Sequence, residues 1–263
     1  MRKKEEKIMN PIVIDREKCV GCGLCRDDCV GGNIRIVDGK AELVRESCIR
    51  CGHCEAICPQ NAVHIEGYTD TVQEYAEQVR LDPQVLLDAM KTRRSVRKFT
   101  EQQVPQEVLD LIIEAGRQAP TGTNAQGTKY VILRKKKDVC EEMAVSMFRK
   151  ILNIAKKLMP GFGGMVIDDN FFFKKAPLVI IILGRDKVSV SLAAQNMAFM
   201  AEANGLGVLF SGFYTICANG GRKVRKIMGL QAGEKAVTTL VIGWPAVRYR
   251  RTVRREPAKI HIL

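Results

Sequence analysis

Apolar positions repeat with two different periods along this chain, and the change falls near residue 82. Before it the apolar runs are short. Ile12–Ile14, Ile34–Val37, Ala41–Val44 and Val63–Ile65 read as strands, with Asp38-Gly39 placing a tight turn between the second and third. After Tyr68, a polar stretch carries Val72, Tyr75, Ala76 and Val79 at helical spacing and reads as a linker or linking helix. Residues 1–7 are charged and read as a frayed end.

From Asp82 the helical period runs longer. Asp82 before Pro83 predicts an N-cap and a first helical position, with Val85, Leu86, Ala89 and Met90 following. A second helix near Pro105 sets Val108, Leu109, Ile112 and Ala115 on one face and ends around Gly116. Tyr130–Leu133 reads as a strand. Lys135 to Lys157 reads as a long amphipathic helix faced by Met143, Met147, Ile151, Ile154 and Leu158, and broken at 160–164. Leu178–Leu183 reads as a buried strand and Ser191–Ala203 as a buried helix stopped by Gly205 and Gly207. Val208–Phe210, a short helix at Val224–Met228 and a strand at Val237–Ile242 complete the pattern. The expected organisation is a small α+β domain over 1–67, a linker over 68–84 and a larger domain over 85–263.

Charge sharpens this division. Residues 1–67 hold 11 Lys/Arg and 11 Asp/Glu, so the whole formal net charge of +13 lies beyond them. A basic second part suits nucleic acid, an acidic membrane surface or a phosphorylated cofactor. No apolar run approaches the roughly 18 residues of a membrane span, and the start lacks the apolar core of a secretion signal. The expected setting is therefore the reducing cytoplasm, with no membrane partner. Outside the cysteine duplication described next, the sequence shows no internal repeat.

Eight of the ten cysteines fall in two runs of the form C-x2-C-x2-C-x3-C, the second 29 residues after the first. Disulfides need an oxidising compartment, and zinc sites favour paired C-x2-C units. Triple runs with a fourth cysteine fit 4Fe–4S clusters, the fourth serving the other cluster. The expected ligand sets are Cys19, Cys22, Cys25 and Cys58 for the first cluster, and Cys48, Cys51, Cys54 and Cys29 for the second. Pro59 follows the last cysteine of the second run, whereas Val30 follows that of the first. The stretch closely resembles a bacterial-type two-cluster ferredoxin. Such a small domain depends on its clusters for a core. Cys140 and Cys217 stand alone in apolar contexts and read as buried, unreactive thiols.

Four further motifs occur in order: Arg93-Arg94-Ser95-Val96-Arg97, Ala119–Gln126, Asn204–Gly207 before Ser211-Gly212, and Val241–Pro245 before an arginine-rich tail. Together they resemble the nitroreductase family of flavoproteins over about residues 85–263. That resemblance implies a three-layer α/β/α domain that binds FMN at the interface of a homodimer. It implies that Arg93, Arg94 (through its backbone), Ser95 and Arg97 hold phosphate and ribityl oxygens, with the tail residues Arg251 and Arg255 as candidates for the phosphate and Arg254 a substitute for either. Charge-assisted hydrogen bonds suit that task. It also places Thr121, Gly122, Asn124 and Gln126 by the ring, from the partner subunit, and Ser211-Gly212 amides near its reactive nitrogen. Gly127-Thr128 stands where many relatives have Pro-Trp.

The combined expectation is an oxidoreductase that passes electrons from two 4Fe–4S clusters to FMN and on to a nitroaromatic, quinone-like or related small acceptor. The flavin carries the chemistry and no side chain is required as a catalytic acid. A ferredoxin-type donor is favoured, with NAD(P)H the other candidate. The alternatives are an electron-transfer module with a protein acceptor, and a redox-sensing nucleic-acid binder, which lacks a recognition helix.

Overall fold

The computed structural model describes residues 11–45, 47–75, 77, 79–158 and 166–263. The charged start at 1–7, Ala76, the side chains of Ile154 and Leu158, and the break at 160–164 lie outside the described residues. The chain forms two compact units. One comprises Met1–Val79 with Gly122–Ala125, the other Arg80–Thr121 with Gln126–Leu263.

The first unit contains β1 (Ile12–Ile14), α1 (Leu24–Asp27), β2 (Ile34–Val37), β3 (Lys40–Leu43), α2 (His53–Ala56) and β4 (Val63–Ile65). β2 and β3 form the expected hairpin, and Asp38 and Gly39 turn it with φ of 49° and 72°. Two positive φ values in succession suit the right-handed twist of paired strands. A shift of 29 residues carries β1 onto β3, α1 onto α2 and β2 onto β4. The cysteine duplication is thus one part of a repeat that spans the unit, which the short strands concealed.

The two halves exchange strands: β1 pairs with β4 and β2 with β3, both antiparallel. The turn after Cys29 matches the one after Cys58. Gly32 N–H donates to Cys29 O at 2.9 Å, and Asn61 N–H to Cys58 O at 3.3 Å. Val30 therefore supports the turn that Pro59 supports. The apolar core is small: Ile12, Ile34, Ala41, Ala62, Val63 and Ile65, completed by cysteines.

Residues 68–75 are irregular rather than helical, and Val72, Tyr75 and Val79 are exposed. The physical reason is that a helix this short is marginal unless it buries its apolar face.

In the second unit α3 (Pro83–Thr92) is capped by Asp82, whose Oδ1 accepts from Val85 N at 2.8 Å. α4 (Gln106–Arg117), β5 (Lys129–Leu133), α5 (Lys137–Leu158), β6 (Leu178–Leu183) and α6 (Lys187–Ala203) follow. β7 (Gly207–Phe210), α7 (Gly212–Gly220), α8 (Arg222–Ile227) and β8 (Ala236–Gly243) complete it. The sheet order is β5-β6-β8-β7, antiparallel throughout. β6 is apolar at every position because both faces are covered. Val179, Ile181 and Leu183 pack with α5, α7 and α8, while Leu178, Ile180 and Ile182 pack with α4 and α6. This is the expected three-layer α/β/α arrangement.

α6 starts four residues before the expected Ser191, because Asp186 caps it by accepting from Val188 N at 3.0 Å and Ser189 N at 3.2 Å. α7 was not expected: Phe213-Tyr-Thr-Ile has the residue types of a strand. Burial of Tyr214, Cys217 and Ala218 on one helical face overrides that local preference. Among the described residues no helix is long and apolar enough to cross a membrane.

Candidate functional site

The first unit gathers the eight cysteines of the two runs. None of them is in a disulfide. Gly23 and Gly52, with φ of 83° and 79°, start α1 and α2, and each helix carries one buried cysteine, Cys25 or Cys54, inward. Gly21 lies at φ 66°, and a Cβ there would meet Gly39 O at 2.1 Å. Only glycine fits so close a passage of two backbones.

Four sulfur atoms accept backbone hydrogen bonds of 3.3 Å: Cys19 from Ala41 N, Cys29 from Asn33 N, Cys48 from Arg50 N, and Cys58 from Ala62 N. Such donors stabilise negative sulfur, the form a metal needs. The Cys54 thiol is pushed up to about 11 by burial, then by the neighbouring Cys48 thiol, with Cys51 and Cys25 adding to it. Burial raises Cys25 likewise, with Cys19 and Cys22 nearby. Clustered, half-dry thiols of this kind are readily ionised only around a cation.

A cavity of about 880 Å³ is lined by Cys29 together with Cys48, Cys51 and Cys54, and by Ile12 and Ile65. Cys29, from the first half, thus joins three cysteines of the second, as the strand exchange requires. The donor set and the space fit an iron–sulfur cluster. His53 Nδ1 lies 3.1 Å from Asp28 Oδ2, and His64 Nδ1 lies 3.4 Å from Glu55 Oε1. Both histidines are engaged with carboxylates beside the cysteines.

In the second unit Arg93 caps the end of α3, and the next residues run along the sheet edge. Ser95 bridges Val208 of β7, and Val96 N–H donates to Val208 O at 3.0 Å. Gly207 allows this approach, since a Cβ there would meet Val96 at 2.5 Å. The chain after β8 returns to the same edge. Thr100 N–H donates to Trp244 O at 2.8 Å, Ala246 N–H to Lys98 O at 2.9 Å, and Tyr249 Oη to Ser95 O at 3.2 Å. The Arg93–Arg97 segment and the root of the basic tail are therefore held together.

Arg93 and Arg94 line a cavity of about 550 Å³ with Phe199, Glu202, Val247 and Tyr249. Arg94 Nη2 is buried there without a hydrogen-bond partner among the described residues. A buried orphan donor on a guanidinium calls for an anionic or acceptor-rich ligand. The Arg94 side chain and Glu202 were not foreseen; a register of arginines does not tell which one turns inward. Burial pushes the Glu202 carboxyl up to about 7, opposed by the Arg93 charge.

The remaining expected residues differ in placement. Arg97 is exposed, with Nη1 donating to Ser95 O at 3.4 Å, and Arg251 and Arg255 are exposed on the tail. Ser211 N–H donates to Thr239 O at 2.8 Å, and Ser211 Oγ to Phe172 O at 3.2 Å. The Ser211 amide expected to face a flavin is thus spent on the sheet. The Gly212 N–H, first in α7, is the one at a helix start, where no intrahelical acceptor exists. Thr121 Oγ1 accepts from Gln126 N at 3.1 Å, and Gly122–Asn124 forms a 3₁₀ turn. Asn124, expected at a ring edge, places its amide nitrogen on acceptors of the first unit, at 2.6 Å from Arg50 O. Cys140 and Cys217 are fully buried, as expected.

Comparison with known proteins finds a match in each part of the chain. Residues 90–244 match the model of the nitroreductase family, and residues 11–59 match that of the 4Fe-4S dicluster domain. A protein of Methanothermobacter thermautotrophicus named as an NADH dehydrogenase/NAD(P)H nitroreductase is 25% identical over 73% of this chain and 96% of its own length. The iodotyrosine deiodinase of Hydra vulgaris is 24% identical over 60% of this chain and 64% of its own. A Bacteroides fragilis nitroreductase crystallised with FMN superposes with a TM-score of 0.55 at 20% identity, covering 66% of this chain and 97% of that one. The chain belongs to the nitroreductase family. It is an oxidoreductase that joins a domain of that family to a 4Fe-4S dicluster domain.

Proposed function

We propose that this protein passes electrons one at a time from two 4Fe–4S clusters to FMN, and from there to a small ring-bearing acceptor such as a nitroaromatic or quinone. The observation that carries the reading is the cavity that sets Cys29 beside Cys48, Cys51 and Cys54, on a chain whose other unit is a nitroreductase-family domain. Such clusters handle single electrons. Bound FMN accepts them singly and delivers them as a pair or singly.

The chain's own residues provide the setting. Arg93 and Arg94, with the tail, supply the positive field for a phosphate. The Gly212 N–H at the start of α7 supplies a donor where negative charge on a reduced ring is stabilised. Several curated relatives are iodotyrosine deiodinases, whose named substrate is an aromatic ring, and this supports a flat acceptor. The chain spans 64% and 66% of the Hydra and rat enzymes.

We assign the ring face to a homodimer. α3 buries none of its residues, and Val85, Leu87 and Met90 on it are exposed at 70%, 45% and 47%. A helix this apolar and uncovered is a natural subunit contact. The donor is assigned as a ferredoxin-type protein.

Anaerobic purification with iron, sulfide and flavin quantification tests the reading. About eight irons and one FMN per chain are expected. Zinc in place of iron, with no flavin, would sink it. Mixing the full-length protein with NADPH or with a reduced ferredoxin then decides the donor, and the ferredoxin is expected to reduce it faster.

A further inference from the structure

We propose that the two clusters are unequal: the one held by Cys19, Cys22, Cys25 and Cys58 takes up an electron more readily, and Lys40 is the residue that sets it apart. The inference rests on the cofactor reading given above.

The repeat supplies the comparison, because most features that tune a cluster occur in it twice. Each ligand set has two sulfur atoms that accept a backbone N–H: Cys19 and Cys58 in the first, Cys29 and Cys48 in the second. Exposed Cys22 matches exposed Cys51, and buried Cys25 matches buried Cys54. Cluster potential follows net charge, hydrogen bonds to sulfur and solvent exposure. The hydrogen bonds are equal in number and the exposures nearly so, which leaves charge to separate the two.

Lys40 opens β3, and its Nζ donates to Cys19 O at 2.6 Å. The next residue, Ala41, donates its N–H to Cys19 Sγ at 3.3 Å. The hairpin thus brings a half-buried ammonium to the carbonyl of a ligand, and no carboxylate among the described residues forms an ion pair with it. Shifted by 29 residues, Lys40 falls on Pro11, just before β1. The second half has no cation at that place.

The other charges beside the ligands lean the same way, with one exception. Lys18 and Arg26 stand where the second half has Ser47 and Glu55, and Asp28 precedes Cys29 where Ile57 precedes Cys58. Lys18 and Arg26 are exposed and paired, to Asp15 at 3.5 Å and to Asp27 at 2.7 Å, so partners and water weaken their fields. The exception is Arg50, which stands where the first half has Gly21. Its guanidinium is drawn away over the Tyr68 ring at 4.4 Å and onto Glu66 O at 2.8 Å. A half-buried, unpaired charge is screened least, so Lys40 decides the order. Reduction adds a negative charge to a cluster, and an ammonium beside it favours that form. An external one-electron donor loses one electron and the first cluster gains it, with its four thiolates unchanged. The second cluster fills after it.

The test brings the full-length holoprotein stepwise to lower potentials and records the EPR signal of the reduced clusters at each. Wild type is expected to show two steps, separated by about tenfold or more in reduction equilibrium, which is about 59 mV for one electron. Lys40→Met should lower the upper step by about tenfold, so that the two approach or merge, and Lys40→Arg should keep them apart. Asp28→Asn, beside the second ligand set, should raise the lower step and leave the upper one in place. If Lys40→Met loses the iron of the first cluster, the cluster that remains is expected at the lower wild-type step.

A single step in wild type would overturn the proposal. So would wild-type steps in Lys40→Met, a shift of its lower step alone, or a remaining cluster at the upper step. A wild-type protein without iron would instead refute the cofactor reading itself.

Discussion

Gly21 and Arg50 occupy equivalent places in the two halves, both with positive φ, yet only Gly21 is sterically forced. Gly21→Ala drives a methyl to 2.1 Å from a carbonyl oxygen in a backbone region that disfavours it. The expected result is loss of the first cluster, with iron falling from about eight to about four per chain on the two-cluster ligation. Iron and sulfide assay of the purified variant checks it. Glu202 gives a second residue-scale expectation. Its carboxyl titrates at about 7 in the fold against an ordinary 4.5. The protonated form is the one the fold favours, so its contribution is full below pH 4.5 and lost as pH rises through 7. Glu202→Gln should therefore raise stability at pH 8 by about 1 kcal/mol after solvent screening, and flatten the pH dependence of Tm. At this scale the sequence was clear about cysteines, whose spacing is itself the geometry. It was silent about the backbone N–H groups that meet Cys19, Cys29, Cys48 and Cys58, because any residue can supply them. It was also silent about the contact of the Asn124 amide with Arg50 O, since nothing local says which acceptors an amide will meet.

Among the elements, α3, β5, β6, β8 and the β2–β3 hairpin were legible because their caps, turns and apolar periods agree. α7 was not, because aromatic and β-branched residues favour strand until long-range packing decides. Of the two readings of 68–81, the linker rather than the linking helix describes residues 68–75: the helical pattern is there, but Val72 and Tyr75 are exposed. α3 carries the test at this scale. Leu87→Arg places a charge on an exposed apolar helix face and should leave the monomer folded. Light scattering should show a shift from dimer to monomer, and FMN should be lost with it. A dimer that persists with its flavin would remove α3 from the interface.

At the scale of the molecule, the two units differ in what holds them together. The second has two cores flanking a sheet whose central strand β6 is fully buried. The first has six small or aliphatic residues and the cysteines. Iron chelation under anaerobic conditions should therefore unfold the first unit alone, seen as rapid proteolysis before Val79 while the second unit keeps its circular dichroism. A single cooperative transition involving both would contradict this. The strand exchange has a last consequence, which concerns descent. Each half needs the other for its sheet partner and for one ligand. A chain of one repeat would therefore have worked only as two identical copies clasped about a twofold axis, each lending a cysteine. Duplication and fusion would have turned that pair into one molecule and freed its halves to diverge, and Arg50 against Gly21 is where that freedom shows.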